Sequence, residues 1–337
     1  MPTPTFSSAG HQAEQRPAED AQTCAAILDL LLPLRRAADP DTPNTPFAFP
    51  KQMQQLAAFV AAGEPILFTL PGFPCKSPNP AKVLGHLPDE AERQSLHFLD
   101  QMCAAVQQVY QPGASVVICS DGHVFSDIIG VPDEHVDAYS DELLDMIARE
   151  GLSRLSLFDL RNVLGDLSYD EKRHLVSERY APTVTELREE VRMGGETLRL
   201  YRGITRFLVD DTDGWQGTKS ALQRECRARA YQVVARSRAW GRLIAEHHPR
   251  SVRLSIHPQP AGSEKFGIRL LNPADTWTTP WHAVLVHREG EPGRLMRRVE
   301  AEALGEVVFV NGRPSYVKVL ASVDDQSGSL NSAYAWF

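Results

Sequence analysis

The sequence predicts an α/β protein, a mostly parallel sheet flanked by helices and interrupted by a helical middle segment. Three observations carry this expectation. Short apolar runs at 66–70, 116–119 and 155–158 are separated by helical stretches near 89–110 and 136–148, the βαβ rhythm of a parallel sheet. The middle, about 169–247, is helical in pattern, and 219–247 holds no proline and reads as one long helix. Short β-like runs return at 252–256, 266–271, 283–287, 307–310 and 316–320, either extending the first sheet or building a second.

Ahead of the first run, Leu28, Leu31 and Leu32, then Met53, Leu56, Phe59 and Val60, recur at helical spacing and predict two amphipathic entry helices ending before Gly63. Residues 1–21, rich in Pro, Ala, Ser and Gln, lack the basic and apolar regions of a signal peptide and read as a disordered tail. With no linker or long-period repeat in between, 22–323 reads as a single composite domain and 324–337 as a C-terminal tail.

Composition narrows the function. Apolar residues at 42% and charged residues at 23% suffice for a full core without disulfides or structural metal. A formal charge of -8 lacks the basic excess that nucleic-acid binding needs. The longest apolar stretch, 24–34, is broken by Asp29 and is too short to span a bilayer. Five scattered cysteines, none in a CxxC, fit reduced thiols in the cytoplasm. Eleven histidines include no HExxH, and neither a GxGxxG nor a GxSxG is present, so the expectation is an enzyme without metal or nucleotide cofactor.

Four segments carry candidate chemistry. The loop 70–82 holds four prolines in ten residues, with Lys76, Ser77 and Lys82 beside Asn79-Pro80, a pair able to open a helix and present N–H groups to a phosphate. A rigid loop with solvated lysines is the equally weighted alternative. Asp121 and Asp127 follow the second strand, where doubly wound sheets bind ligands; an Asp-Gly turn accounts for Asp121 alone. Strand alternation puts Arg253, Ser255 and His257 on one face, with Lys265 following, and 277–282 ends in His282. A structural histidine is the commoner case, but either ring titrates near neutrality. On residues alone, the chain is an α/β enzyme for a small anionic substrate.

Taken in order, these segments resemble the isocyanide (isonitrile) synthase family, also called the pyoverdine/dityrosine biosynthesis family. The similarity runs from about 70 to 287 and is carried by LPGFPCKSPNPAKVLG (70–85), SDGHVFSDIIGV (120–131), DEKRHLVSERY (170–180), YRGITRFLVDD (201–211), RLSIHP (253–258) and TTPWH (278–282). The resemblance implies a Rossmann-like architecture and a reaction that turns the α-amino group of an aromatic amino acid, tyrosine in preference to tryptophan, into an isocyanide. It implies ribulose 5-phosphate as the carbon donor and no metal or redox cofactor.

On that resemblance Lys76, Ser77 and Lys82, with Arg253 or Lys265, anchor the phosphate. Asp121 and Asp127 orient the amine or sugar hydroxyls, His257 and His282 move protons, and Arg206 meets the amino acid carboxylate or pairs with Asp210 one helical turn on. A Schiff base at Lys76 or Lys82 is a competing mechanism. Another phosphosugar lyase, aldolase or isomerase, or a non-catalytic sugar-phosphate-binding protein, are the alternatives. The expected partners are small molecules, with neither nucleic acid nor membrane, and a homodimer stays open.

Overall fold

The computed structural model of the chain describes residues 9–39, 41–271 and 278–319. Trp277, Leu320 and the 324–337 tail lie outside the described residues. In chain order the elements are α1 (Ala9–Leu31), α2 (Pro50–Ala62), β1 (Ile66–Pro71), α3 (Glu90–Val109), β2 (Ala114–Cys119), α4 (Gly122–Ile129), α5 (Asp133–Arg149) and β3 (Leu155–Phe158). Then follow α6 (Tyr169–Tyr180), α7 (Val184–Met193), α8 (Gly195–Asp211), α9 (Lys219–His247), β4 (Val252–Ser255) and β5 (Lys265–Gly267). The chain closes with β6 (Val284–His287), β7 (Arg294–Met296), α10 (Arg298–Glu302), β8 (Gly305–Val310) and β9 (Arg313–Val319).

Strands β1 to β5 form one all-parallel sheet in the order β3-β2-β1-β4-β5. One face, carrying Phe68, Leu70, Val116, Ile118 and Leu254, packs with Leu28 and Leu31 of α1, Leu56 of α2, Leu96 and Leu99 of α3 and Tyr139 of α5. The other face, carrying Val117 and Cys119, packs on Ala239, Trp240 and Leu243 of α9 and Val176 of α6. The late β-like runs did both things the sequence allowed. The 252–256 and 266–271 runs joined the first sheet as β4 and β5, and the other three, as β6, β8 and β9, built a second sheet with β7, which no run announced, in the order β7-β6-β9-β8 against α3 through Ala91, Leu285 and Leu295.

Two expectations need correction. The first helix starts at Ala9, inside the stretch assigned to a disordered tail, because residues 9–20 offer no apolar stripe to announce it. No helix opens at Pro80. Asn79 caps a single turn, its Oδ1 accepting from Ala81 N at 2.9 Å. The carbonyls of Ala81 and Lys82 accept instead from Val299 N and Arg298 N, at 3.2 and 3.1 Å, so they are occupied by α10 rather than by a continuing helix.

Candidate active site

In this sheet the chain steps outward from β1 to β2 to β3, then returns after α9 to the opposite side of β1. The strand order therefore reverses between β1 and β4, and the crevice beyond their carboxyl ends is the place such sheets bind ligands. Gly72 and Phe73 leave β1 there, Ser120 and Asp121 leave β2, and Ile256 and His257 leave β4. A Cβ on Gly72 would come within 3.1 Å of the Trp281 ring and 3.6 Å of Ile256, so glycine lets the loop pass between them. Phe73 takes φ 54, unusual for a bulky residue, and is held there by burial and by its ring packing 5.1 Å from Trp281. Ser120 Oγ donates to the Phe73 carbonyl at 2.8 Å, and Ser77 N to the Trp281 carbonyl at 2.9 Å. The 70–82 loop is thereby fastened to both the β2 exit and the 3-10 turn Pro280–His282.

These fastenings reassign several sequence-predicted residues. Lys76 is not an open cation: its ammonium is buried and lies 2.8 Å from both Asp89 and Glu92, and it donates to the Pro280 carbonyl at 3.1 Å. Burial works against this charge, but the two carboxylates hold its pKa above the ordinary lysine value. Asp89, buried beside a second carboxylate, is pushed up to about 7 in spite of Lys76. Tyr139 donates to Glu92 at 3.1 Å.

Ser77 and Lys82 converge on Asp211, at 2.6 and 2.8 Å, and Lys82 also meets Asp210 at 2.6 Å. Asp210 is held in turn by Arg297 at 2.8 Å, and despite partial burial its carboxyl stays below the usual range because Lys82 and Arg297 hold it. Arg206, exposed on α8, has no ion pair with Asp210, whose carboxylate those two cations occupy.

Asp121 and Asp127 do not form a pair. Asp127 faces out from α4 and is clamped by Arg236 of α9, with Arg173 beyond at 3.9 Å, which is a helix-packing role. Asp121 stands at the crevice. Although it occupies the cap position of α4, its side chain does not cap, and burial pushes its carboxyl up to about 7. Gly122 explains its setting: a Cβ there would lie 2.1 Å from the Pro74 carbonyl oxygen, so only glycine lets α4 dock on the 70–82 loop. Asp121 and Asp211 both bear on the buried Cys75 thiol, which burial and those two charges push upward.

His282 accepts from or donates to Thr279 Oγ1 through Nδ1 at 2.8 Å and meets the Phe207 ring edge-on at 5.0 Å. Burial pushes it down to about 4 in spite of Asp211, with Lys82 and Lys76 acting in the same direction as burial, so it is neutral at pH 7. His257 is exposed at the β4 exit, and desolvation, then the charges of Arg36 and Lys265, lower its imidazole to about 4. Arg253 and Lys265 are register partners across the β4–β5 ladder, so their side chains leave one face of the sheet together. Arg253 has a distant partner, Glu264, at 3.8 Å.

Sequence reasoning missed Asp89, Glu92, Asp211, Thr279 and Arg297. One signal existed: Asp210-Asp211 ends α8, where the helix dipole disfavours anions, so two acids there require cations from elsewhere. Among the described residues no group of three or more His, Cys, Asp or Glu side chains is arranged to hold a metal, and no helix is long and apolar enough to cross a membrane.

An all-parallel sheet with loops converging beyond its switch point defines a Rossmann-like α/β protein with a ligand crevice there, lined by a carboxylate raised to about 7 and an imidazole lowered to about 4. The sequence profile described as "Pyoverdine/dityrosine biosynthesis protein" matches residues 56–308, and the chain belongs to that family. An L-tyrosine isonitrile synthase of Pseudomonas aeruginosa is 46% identical over 276 residues, 80% of this chain and 84% of that protein. An L-tryptophan isonitrile synthase of Fischerella ambigua is 42% identical over 267 residues, 78% of this chain and 81% of that one. The crystal structure of the PvcA protein from Pseudomonas aeruginosa superposes with a TM-score of 0.83 at 44% identity, covering 88% of this chain and all of that one. The chain is an isocyanide synthase.

Proposed function

We propose that this isocyanide synthase acts on L-tyrosine and takes the isocyanide carbon from ribulose 5-phosphate, in the cytoplasm and with no metal or redox cofactor. The tyrosine assignment is supported by the 46% identity to the Pseudomonas L-tyrosine enzyme, against 42% for the L-tryptophan enzyme. The observation that carries the chemistry is Asp121: a carboxylate at the switch point, uncommitted to capping and poised near neutrality.

Formation of a carbon–nitrogen bond begins with the substrate ammonium losing a proton, and Asp121 is suited to take it at pH 7. Bonding of that nitrogen to the sugar's ketone carbon calls for a proton on the carbonyl oxygen and loss of water. His282, neutral and fixed through Thr279, shuttles those protons beside the Lys82–Asp211 pair. The phosphate is assigned to Arg253, whose guanidinium is less committed than the ammonium groups of Lys76 and Lys82. Trp281 and Phe207 supply apolar walls beside His282. Arg206 keeps the role of a candidate for the amino acid carboxylate.

The test is incubation of the purified protein with equimolar tyrosine and tryptophan plus ribulose 5-phosphate, followed by mass spectrometry. Tyrosine isonitrile is the expected main product; a tryptophan product alone, or no product without a different phosphosugar, would overturn the assignment. Two further results are expected. Turnover survives exhaustive chelation, and restoration by a single divalent ion after its loss would refute the metal-free chemistry. Arg253→Ala raises the apparent KM for the sugar phosphate by roughly tenfold, the loss of about 1.5 kcal/mol of charge-assisted bonding, with the KM for tyrosine little changed. An unchanged sugar-phosphate KM would take the phosphate away from Arg253.

A further inference from the structure

The seven lysines of the chain divide sharply by what holds them. Lys51, Lys219 and Lys318 are exposed on the surface. Lys172 is buried and donates to the Leu160 carbonyl at 3.1 Å. Lys76 and Lys82, the two expected to serve as nucleophiles if any lysine did, are each engaged by two carboxylates. An amine protonated and hydrogen-bonded in this way has no lone pair to offer.

Lys265 differs from all six. It is half-buried, and among the described residues its side-chain nitrogen makes no hydrogen bond and lies within ion-pair distance of no carboxylate. It starts β5 opposite Arg253, so a guanidinium stands beside it on the same sheet face, and His257, leaving β4, is near enough to feel its charge. The carboxylates of Glu196 and Glu264 act on it from a distance, and neither is within ion-pair reach. A partly desolvated lysine beside a second cation, with a neutral imidazole at hand, is the arrangement that activates lysine toward carbonyl compounds.

We propose that Lys265 is a catalytic nucleophile that forms a Schiff base with the ketone of the phosphosugar co-substrate. Burial, and then Arg253, lower its pKa from the ordinary lysine value, enlarging the neutral fraction that can attack. Its nitrogen bonds to the ketone carbon while the oxygen takes a proton, giving a carbinolamine. The hydroxyl then leaves as water, with His257 relaying the proton, and an iminium remains. The amino acid's amine adds to that same carbon and Lys265 departs as the free amine, so no oxidant or reductant is consumed. With Arg253 on the phosphate, the neighbouring strand presents Lys265 to the carbonyl end of one small molecule.

This inference rests on ribulose 5-phosphate being the co-substrate, and the experiment separates the two. The wild-type protein is incubated with ribulose 5-phosphate and sodium borohydride, and the product is read by intact mass and peptide mapping; isonitrile formation is measured in parallel without borohydride. The expected result is a single reduced sugar-phosphate adduct on Lys265, absent in Lys265→Arg, whose turnover is lost while its melting temperature matches wild type. Isonitrile formation from ribulose 5-phosphate with no adduct, with an adduct on another lysine, or with an active Lys265→Arg variant, overturns the Schiff base and leaves the co-substrate standing. Failure to form isonitrile from ribulose 5-phosphate at all removes both.

Discussion

Asp121→Asn is expected to lower isocyanide formation by roughly 10²–10⁴, the contribution of a positioned proton acceptor, and at the same time to stabilise the fold at alkaline pH. The two effects have one cause. Burial raises the Asp121 carboxyl to about 7, well above its value in an unfolded chain, so the native state prefers the protonated form. Stability from this group is complete below the unfolded carboxylate pKa and is lost as pH rises through 7. Asparagine resembles the protonated acid and never incurs that loss. At pH 8 the variant should gain on the order of 1–3 kcal/mol, discounted for the residue's partial solvent contact, with no gain at pH 4. Thermal melts at both pH values, alongside turnover, test this. A variant equally stable at both pH values and active near the native rate would show that Asp121 is neither strained by burial nor a base.

Lys76→Met is expected to be the most destabilising single change in the 70–82 loop, by about 3–5 kcal/mol, because it strands the buried Asp89 and Glu92 without their cation. Without the ammonium, both carboxylates favour protonation in the folded state. Their penalty therefore grows as pH rises above the unfolded carboxylate range and fades toward pH 4, so the loss in melting temperature should be larger at pH 8 than at pH 5. The predicted damage to catalysis is indirect: the Pro280 carbonyl loses its donor, and the turn bearing Thr279 and His282 loosens. A variant of native stability with only a weakened KM for sugar phosphate would return Lys76 to the role of phosphate ligand.

The architecture was legible where local pattern and tertiary packing agree. The long helix was read as 219–247 and is found at Lys219–His247, since Thr218 caps it and no proline interrupts it. The first two apolar runs became β1 and β2 because strands buried on both faces read as continuous apolar stretches, while the third became the edge strand β3, with Ser156 exposed. The site was legible by place but only in part by role. Asp121, His257, His282 and Lys265 could be located at strand ends and block ends. That Lys76 is committed to Asp89 and Glu92 depends on a loop and a helix start meeting in space, which no periodicity encodes. The same holds for Asp127, placed near Asp121 in the sequence but turned by six residues of helix toward Arg236. Helical spacing offered Arg206 a pair with Asp210 as the alternative to binding the amino acid carboxylate, yet Lys82 and Arg297 reach Asp210 from other parts of the fold.

The measurement that bears most directly on the proposed activity is isotope transfer with ribulose 5-phosphate carrying carbon-13 at the ketone carbon, incubated with unlabelled L-tyrosine and the purified chain. The account predicts that the product's isocyanide carbon is carbon-13 and that the tyrosine nitrogen and side chain are retained intact. An unlabelled isocyanide carbon, or label recovered only in sugar fragments, would contradict it.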